Sequence, residues 1–204
     1  MTTMLSEPTM PNTATKRMSI DEFFVWQQGQ EDRYELVDGV PVIMRDPLTM
    51  MTGASSLHDR ITSNVLIALG NQLRDGPCWP ATADLALRTK IRSLRRADVL
   101  VTCDEPRPDV YEAQEPKMVV EVLSPSNKGL PWQRKIEEYR QHGKLVYLLL
   151  IASEGEAATL IRRNGEGWTH EDFDGREPVI ELPAIGCRLM MAEIYRGVIV
   201  QPIE

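Results

Sequence analysis

Apolar residues along this chain recur with two periods, and the places where the period changes mark its elements. Ser19-Ile20-Asp21-Glu22 has capping-box spacing and predicts a short amphipathic helix with Ile20, Phe23 and Phe24 on one side, ending near Gly29. Tyr34-Glu35-Leu36-Val37 and Val40-Pro41-Val42-Ile43-Met44 flank Asp38-Gly39, a dipeptide that tolerates the positive φ angles of a tight hairpin. Between residues 54 and 73, Leu57, Ile61, Val65, Ala68 and Leu69 fall on one helical face and predict the longest helix, closed by Gly76-Pro77. Residues 83–91 alternate as a strand through Leu85, Leu87, Thr89 and Ile91. Residues 93–96 read as a basic turn, and residues 97–103 as an apolar strand that opens on Asp98.

Downstream, residues 104–116 are acidic and proline-containing and predict a loop. Residues 118–123 form a buried strand with Glu121 in its middle, broken by Ser124-Pro125-Ser126-Asn127. A helix follows over residues 131–142, with Pro131 suited to its first turn and Gly143 placed to stop it. Residues 146–151 are a fully buried strand, residues 158–163 and 168–173 a β meander, and residues 190–195 a short closing segment. This order predicts an α/β (α+β) sandwich with a mixed central β-sheet flanked by helices. Residues 1–18, rich in Met, Thr, Pro and Ser, read as a flexible leader to a single domain over residues 19–204.

Composition narrows the function classes. The chain has 204 residues, 42% of them hydrophobic and 26% charged, enough for a sizeable core in one domain. A net charge of −7 argues against nonspecific coating of nucleic acid, although it permits a local basic groove. The run Lys90, Arg92, Arg95, Arg96 is such a candidate, set against the commoner case of a solvated turn. The three cysteines, Cys78, Cys103 and Cys187, are odd in number and dispersed; they support neither a zinc knuckle nor a disulfide framework and fit a reducing cytoplasm. No signal-peptide core and no membrane-length apolar run is present, so secretion and membrane insertion are not expected.

Two carboxylates stand where packing alone would not place them. Asp98 opens Ala97-Asp98-Val99-Leu100-Val101, and Glu121 lies inside Met118-Val119-Val120-Glu121-Val122-Leu123. A buried acid without a partner costs several kcal/mol, and two on neighbouring strands repel each other unless a cation relieves them. A divalent cation held by carboxylate oxygens does so, and can activate water for attack on phosphorus. A lysine that orients this water or stabilises developing charge is the usual third part. Leu123 stands where such a lysine commonly lies, two residues after the second acid. Lys135 is the replacement, on a helix face shared with Trp132, Ile136 and Tyr139. Asp109, in the literal Pro-Asp spelling of Pro108-Asp109-Val110, competes with Asp98 but sits in a polar loop. Trp132 and Tyr139 suit core packing better than base stacking. No His-acid partnership makes Ser124 or Cys103 a nucleophile.

Taken in order, Tyr34-Glu35-Leu36-Val37-Asp38-Gly39, His58 in a long helix, Ala97-Asp98-Val99, Val119-Val120-Glu121-Val122-Leu123-Ser124-Pro125-Ser126, Lys135 and Tyr139-Arg140-Gln141-His142-Gly143 resemble the Uma-two restriction endonuclease family of the PD-(D/E)xK nuclease superfamily. The resemblance spans residues 19–196 and implies a restriction endonuclease-like fold. It implies Asp98 and Glu121 as ligands of Mg²⁺ or Mn²⁺, Lys135 as a migrated catalytic lysine and Glu35 as a further acid near the metal. His58 matches a recurrent family histidine. The backbone carbonyl of Val122 is expected to complete the metal shell. Two departures stand out: Ala97 replaces the proline before the first acid, and Leu148-Leu149-Leu150-Ile151-Ala152 replaces the usual aromatic-acidic strand ending. The expected activity is metal-dependent hydrolysis of DNA phosphodiesters, with a homodimer as the expected assembly. The alternative is a catalytically inactive binding or scaffold protein on the same fold.

Overall fold

A computed structural model describes residues 17–44, 55–124 and 129–199. The leader expected over residues 1–18 therefore lies almost wholly outside the described residues, as do residues 125–127 of the predicted break after Glu121. In chain order the elements are α1 (Ile20–Gln27), β1 (Tyr34–Val37), β2 (Val40–Ile43), α2 (Ser56–Leu73), β3 (Trp79–Thr82), β4 (Ala86–Lys90), β5 (Ser93–Arg95), β6 (Val99–Thr102), β7 (Glu112–Ala113) and β8 (Pro116–Leu123). There follow α3 (Leu130–Gln141), β9 (Tyr147–Ala152), β10 (Ala157–Asn164), β11 (Gly167–Asp174), β12 (Val179–Leu182), β13 (Cys187–Met190) and α4 (Met191–Ile194).

The main sheet has the order β11-β10-β9-β8-β6-β3. It is mixed, because β8 and β9 run parallel while their outer neighbours are antiparallel. A parallel pair needs a long crossover, and α3 supplies it. Both faces of β6, β8 and β9 are covered, which explains their nearly continuous apolar sequences. Val99, Val101, Val120, Val122, Leu149 and Ile151 pack with Ile61, Val65 and Leu69 of α2 and with the β12–β13 hairpin. The intervening Leu100, Val119 and Leu148 point the other way, toward Tyr139 of α3 and Leu87 of β4.

A second sheet, in the order β2-β1-β5-β4-β7, carries α1. Ser19 and Glu22 close a reciprocal capping box on that helix, and Ile20 and Phe23 bury against Leu36, Ala86 and Leu94. The β1–β2 turn has φ 49° at Asp38 and 82° at Gly39. At Gly39 a Cβ would also lie 2.8 Å from Arg17 Cβ, so a side chain there is excluded twice over.

Several expectations are corrected. Residues 93–95 form the buried strand β5, paired to β1 and β4, rather than a basic turn. The turn lies at Ile91 and Arg92, where Ile91 is 89% exposed. Charge in this segment does not mean solvent, because Arg95 is buried on carboxylates. The edge strand β3, which holds Pro80, escaped the sequence pattern. Helix α3 ends because His142 turns extended, with ψ 116°, one residue before Gly143. Cys78 and Cys103 are joined in a disulfide, continuing the Trp79↔Thr102 register of β3 and β6, while Cys187 is free and buried. Cysteines distant in sequence become cross-strand neighbours through that pairing, which removes the cysteine-based argument for a reducing compartment. Among the described residues no helix is long and apolar enough to cross a membrane.

Candidate active site

Strand register sets the geometry. Val99 faces Val120 across the antiparallel β6–β8 pair, so the next residues, Asp98 and Glu121, stand opposite each other. Strand alternation puts Glu121 on the face of Val119, the side covered by α3, while Asp98 sits at the bend just before β6. The Val122 amide donates to Asp98 Oδ2 at 2.7 Å, fixing the first acid against the second strand. His58 reaches the same oxygen, with Nε2 at 3.1 Å from Asp98 Oδ2. Its place in the first turn of α2 is set by Ser55, whose hydroxyl accepts from the His58 amide at 3.3 Å. Burial alone would lower the imidazole pKa, but the hydrogen bond and charge of Asp98, with Glu121 and Asp59, raise it above 6.5.

Lys135 completes the cluster from α3. Its ammonium lies 2.8 Å from Glu121 Oε1 and 3.1 Å from Glu35 Oε1, and donates to the Arg96 carbonyl at 3.1 Å. Those three contacts match the three donors of an ammonium. One helical turn on, the Tyr139 hydroxyl donates to the same Glu121 oxygen at 2.7 Å. Glu35 also accepts from the Arg95 guanidinium and the Arg96 amide, each at 2.9 Å.

The charges differ in how firmly they are held. Burial pushes the Glu121 carboxyl up to about 7, Asp98 adds to this, and Lys135 and Tyr139 only partly offset it. Burial also opposes charge on Lys135, but Glu121 and Glu35 outweigh it and raise its pKa, so it remains an ammonium. Glu35 is likewise penalised by burial yet ends below the ordinary carboxylate value, because Lys135 and Arg95 flank it. Burial lifts the Tyr139 phenol well above its usual value, so it stays a neutral donor.

Glu35, His58, Asp98, Glu121 and Lys135 thus form one connected group, with Val122 joined through its amide. Asp109 does not join it and lies on an exposed turn. The basic run divides: Lys90 and Arg92 are exposed, whereas Arg95 and Arg96 are buried. Arg96 serves the backbone, donating to the carbonyls of Tyr34, Ala83 and Asp84. Sequence reasoning passed over the Tyr139 hydroxyl as a donor to Glu121, and missed Glu138, which pairs with Arg95 at 2.7 Å. The signal for Glu138 was its spacing from Lys135 on one helix face.

Among the described residues, no three His, Cys, Asp or Glu side chains converge closely enough to hold a metal ion by themselves. A cation already lies between Glu35 and Glu121, namely the Lys135 ammonium. Asp98 and Glu121 each engage through one oxygen; Asp98 Oδ1 and Glu121 Oε2 accept no hydrogen bond among the described residues.

This architecture is a nuclease-like fold. It matches the crystal structure of "a putative nuclease belonging to DUF820" from Anabaena variabilis ATCC 29413 with a TM-score of 0.67 and 16% identity, over 87% of this chain and 97% of that one. The chain belongs to the Uma2 family, described as "Putative restriction endonuclease", whose profile matches residues 20–192. It is also 28% identical over 190 residues to "Uncharacterized protein slr1290" of Synechocystis sp., covering 92% of this chain and 96% of that protein.

Proposed function

We propose that this chain is a Mg²⁺- or Mn²⁺-dependent endonuclease that hydrolyses phosphodiester bonds in DNA. The observation that carries the reading is the placement of Asp98, just before β6, opposite Glu121 on β8, with the Lys135 ammonium 2.8 Å from Glu121 Oε1. The donor set fits a magnesium-like ion, which is commonly held by one or two carboxylates with water filling the remaining positions. Asp98 and Glu121 would hold it, with the Val122 carbonyl as a backbone ligand and Glu35 as an outer acid. When bound, the ion polarises the phosphoryl group and lowers the pKa of water. The carboxylate neighbours of Lys135 raise its pKa, which suits a donor rather than a base. Its three donors are taken in this structure, so donating to the attacking water or stabilising negative charge on the phosphoryl oxygens would require it to release the Glu121 or Glu35 contact. His58 fixes Asp98 from the α2 side, and Tyr139 fixes Glu121. A homodimer of this one-site chain would place one site on each strand.

The test is nicking of supercoiled plasmid with Mn²⁺ present. The parent and Asp109→Asn should cut, and Asp98→Asn should not. Equal cutting by Asp98→Asn would assign the activity to another site or another protein.

One observation favours a second reading, a catalytically inactive binding or scaffold protein. Lys135 already sits between Glu35 and Glu121, Arg95 pairs with Glu35, and His58 contacts Asp98, so each acid of the cluster has a partner without a metal. Calorimetry with Mn²⁺ separates the two, since a retired site shows no binding that depends on Glu121.

A further inference from the structure

Arg95 and Glu138 touch no reacting group in the mechanism above, yet only 5% and 1% of their surfaces are exposed. Arg95 reaches in two directions, 2.9 Å to Glu35 Oε2 and 2.7 Å to Glu138 Oε2. Glu138 also accepts from Thr89 at 3.0 Å and Arg134 at 3.0 Å, and lies 3.4 Å from Lys90 Nζ. Lys135 and Glu138 are three residues apart on α3 and share a face. The result is a closed circuit in which α3 returns to itself through Glu35 on β1 and Arg95 on β5. Each step between Lys135 and Glu138 is an ionic contact of 3.1 Å or less.

That circuit matters because the apolar docking of α3 is narrow: Tyr139 is buried and Ile136 packs beside it, while Trp168 and Arg163 hold the C-terminal end through the Arg140 carbonyl. Only Glu138 and Tyr139 of its twelve residues are buried, and its first turn lacks a side-chain cap. A helix docked by apolar burial tolerates small slides; a buried ion pair with defined partners does not, and this registry role is the best-attested use of such pairs. We propose that Arg95 and Glu138 are positioning residues that fix α3 in register, so that the Lys135 ammonium stays between Glu35 and Glu121. Its consequence for rate rests on the endonuclease reading, whereas its consequence for the position of the amine does not.

The test uses the full chain with Glu138→Gln, which keeps the shape and removes the charge, and with Arg95→Lys, which keeps the charge and removes the two-ended fork. A cooperative thermal transition qualifies each variant as folded. Should Glu138→Gln fail to fold, Arg95→Lys carries the test. Limited acetylation by acetic anhydride, read by peptide mass spectrometry, reports how far the Lys135 amine is held inside. Exposed Lys144 is the internal reference. Lys135 should be acetylated at least about fivefold faster relative to Lys144 in the variants, as local opening becomes easier. In the plasmid assay kcat should fall about tenfold to a hundredfold, with KM for DNA unchanged, as misplacement of a catalytic group predicts. An unchanged acetylation ratio in folded variants overturns the proposal whatever the activity. Faster acetylation of Lys135 alongside a parent that never cuts supports the positioning role and sinks the endonuclease reading instead.

Discussion

Lys135 Nζ lies 2.8 Å from Glu121 Oε1, although the lysine comes from the helix after β8 and the acid from near the end of that strand. The position two residues beyond Glu121, where a lysine would share its strand face, is Leu123. Moving the cation onto α3 makes its position depend on how the helix docks. This makes Glu35, Arg95 and Glu138 part of the same electrostatic unit as Asp98 and Glu121.

Lys135→Met should abolish cutting and lower stability by up to about 3–5 kcal/mol, the range for breaking a buried ion pair. The loss should be smaller at pH 6 than at pH 8, because a Glu121 that titrates near 7 can take up a proton once its cation is gone. Lys135→Arg should not restore cutting, since a planar guanidinium cannot repeat the three ammonium contacts. Urea unfolding at the two pH values and plasmid nicking read these outcomes.

Glu121 also sets a pH dependence. Its pKa is raised from 4.5 to about 7 by burial, so between those values the folded state binds more protons than the unfolded state. Its contribution to stability therefore falls as pH rises across that window. Metal binding requires the ionised carboxylate, so Mn²⁺ affinity should climb through pH 7 and level off above it. Calorimetric titration with Mn²⁺ at pH 6 and pH 8 checks the binding half. Urea midpoints for the parent and Glu121→Gln check the stability half, and the two curves should differ in slope between pH 4.5 and 7.

Much of this was legible in the sequence because local rules and burial agreed. The Ser19/Glu22 box, the Asp38-Gly39 turn and the apolar spacing of α2 each formed as patterned. Asp98 and Glu121 were visible because an acid in an apolar strand violates the pattern. The buried charges of β5 were not, since Arg95 looks like solvent-facing chemistry until its two glutamates are folded beside it. The same blindness hid the disulfide: Cys78 and Cys103 are far apart in sequence and become neighbours only through the pairing of β3 with β6.

Tyr139→Phe removes the hydroxyl that donates to Glu121 at 2.7 Å and leaves the ring packing intact. Loss of that donor should cost about 1–3 kcal/mol, the penalty for a buried acceptor left short. The hydrogen bond lowers the Glu121 pKa, so its removal should move the pH midpoint of Mn²⁺ binding upward. A midpoint that stays fixed or moves down would mean that the hydroxyl does not act on Glu121 in solution.

Glu138 gives the opposite pH signature. Burial opposes its charge, but hydrogen bonds from Arg95, Thr89 and Arg134 and the Arg95 charge bring its pKa down to about 2. A depressed carboxylate stabilises the fold fully above its unfolded value of 4.5 and loses that contribution as pH falls toward 2. Glu138→Gln should thus be clearly less stable than the parent at pH 7, with the gap narrowing below pH 4.5. Urea midpoints across that range decide it.

The Cys78–Cys103 bridge closes a segment with a sequence separation of 25, which contains β4, β5 and Asp98. Loop-closure entropy for that length corresponds to about 3 kcal/mol of stabilisation, by constraining the unfolded chain. Cys78→Ser, or reduction of the parent, should lower the urea midpoint by the equivalent of about 2–4 kcal/mol. The double variant Cys78→Ser/Cys103→Ser should be insensitive to reductant. Cutting of plasmid by whatever fraction remains folded should be unchanged, because the bridge sits at the end of β6 away from Asp98 and contacts none of Glu35, His58, Glu121 or Lys135. A parent whose unfolding midpoint ignores reductant would show that the two sulfurs remain thiols in the purified protein.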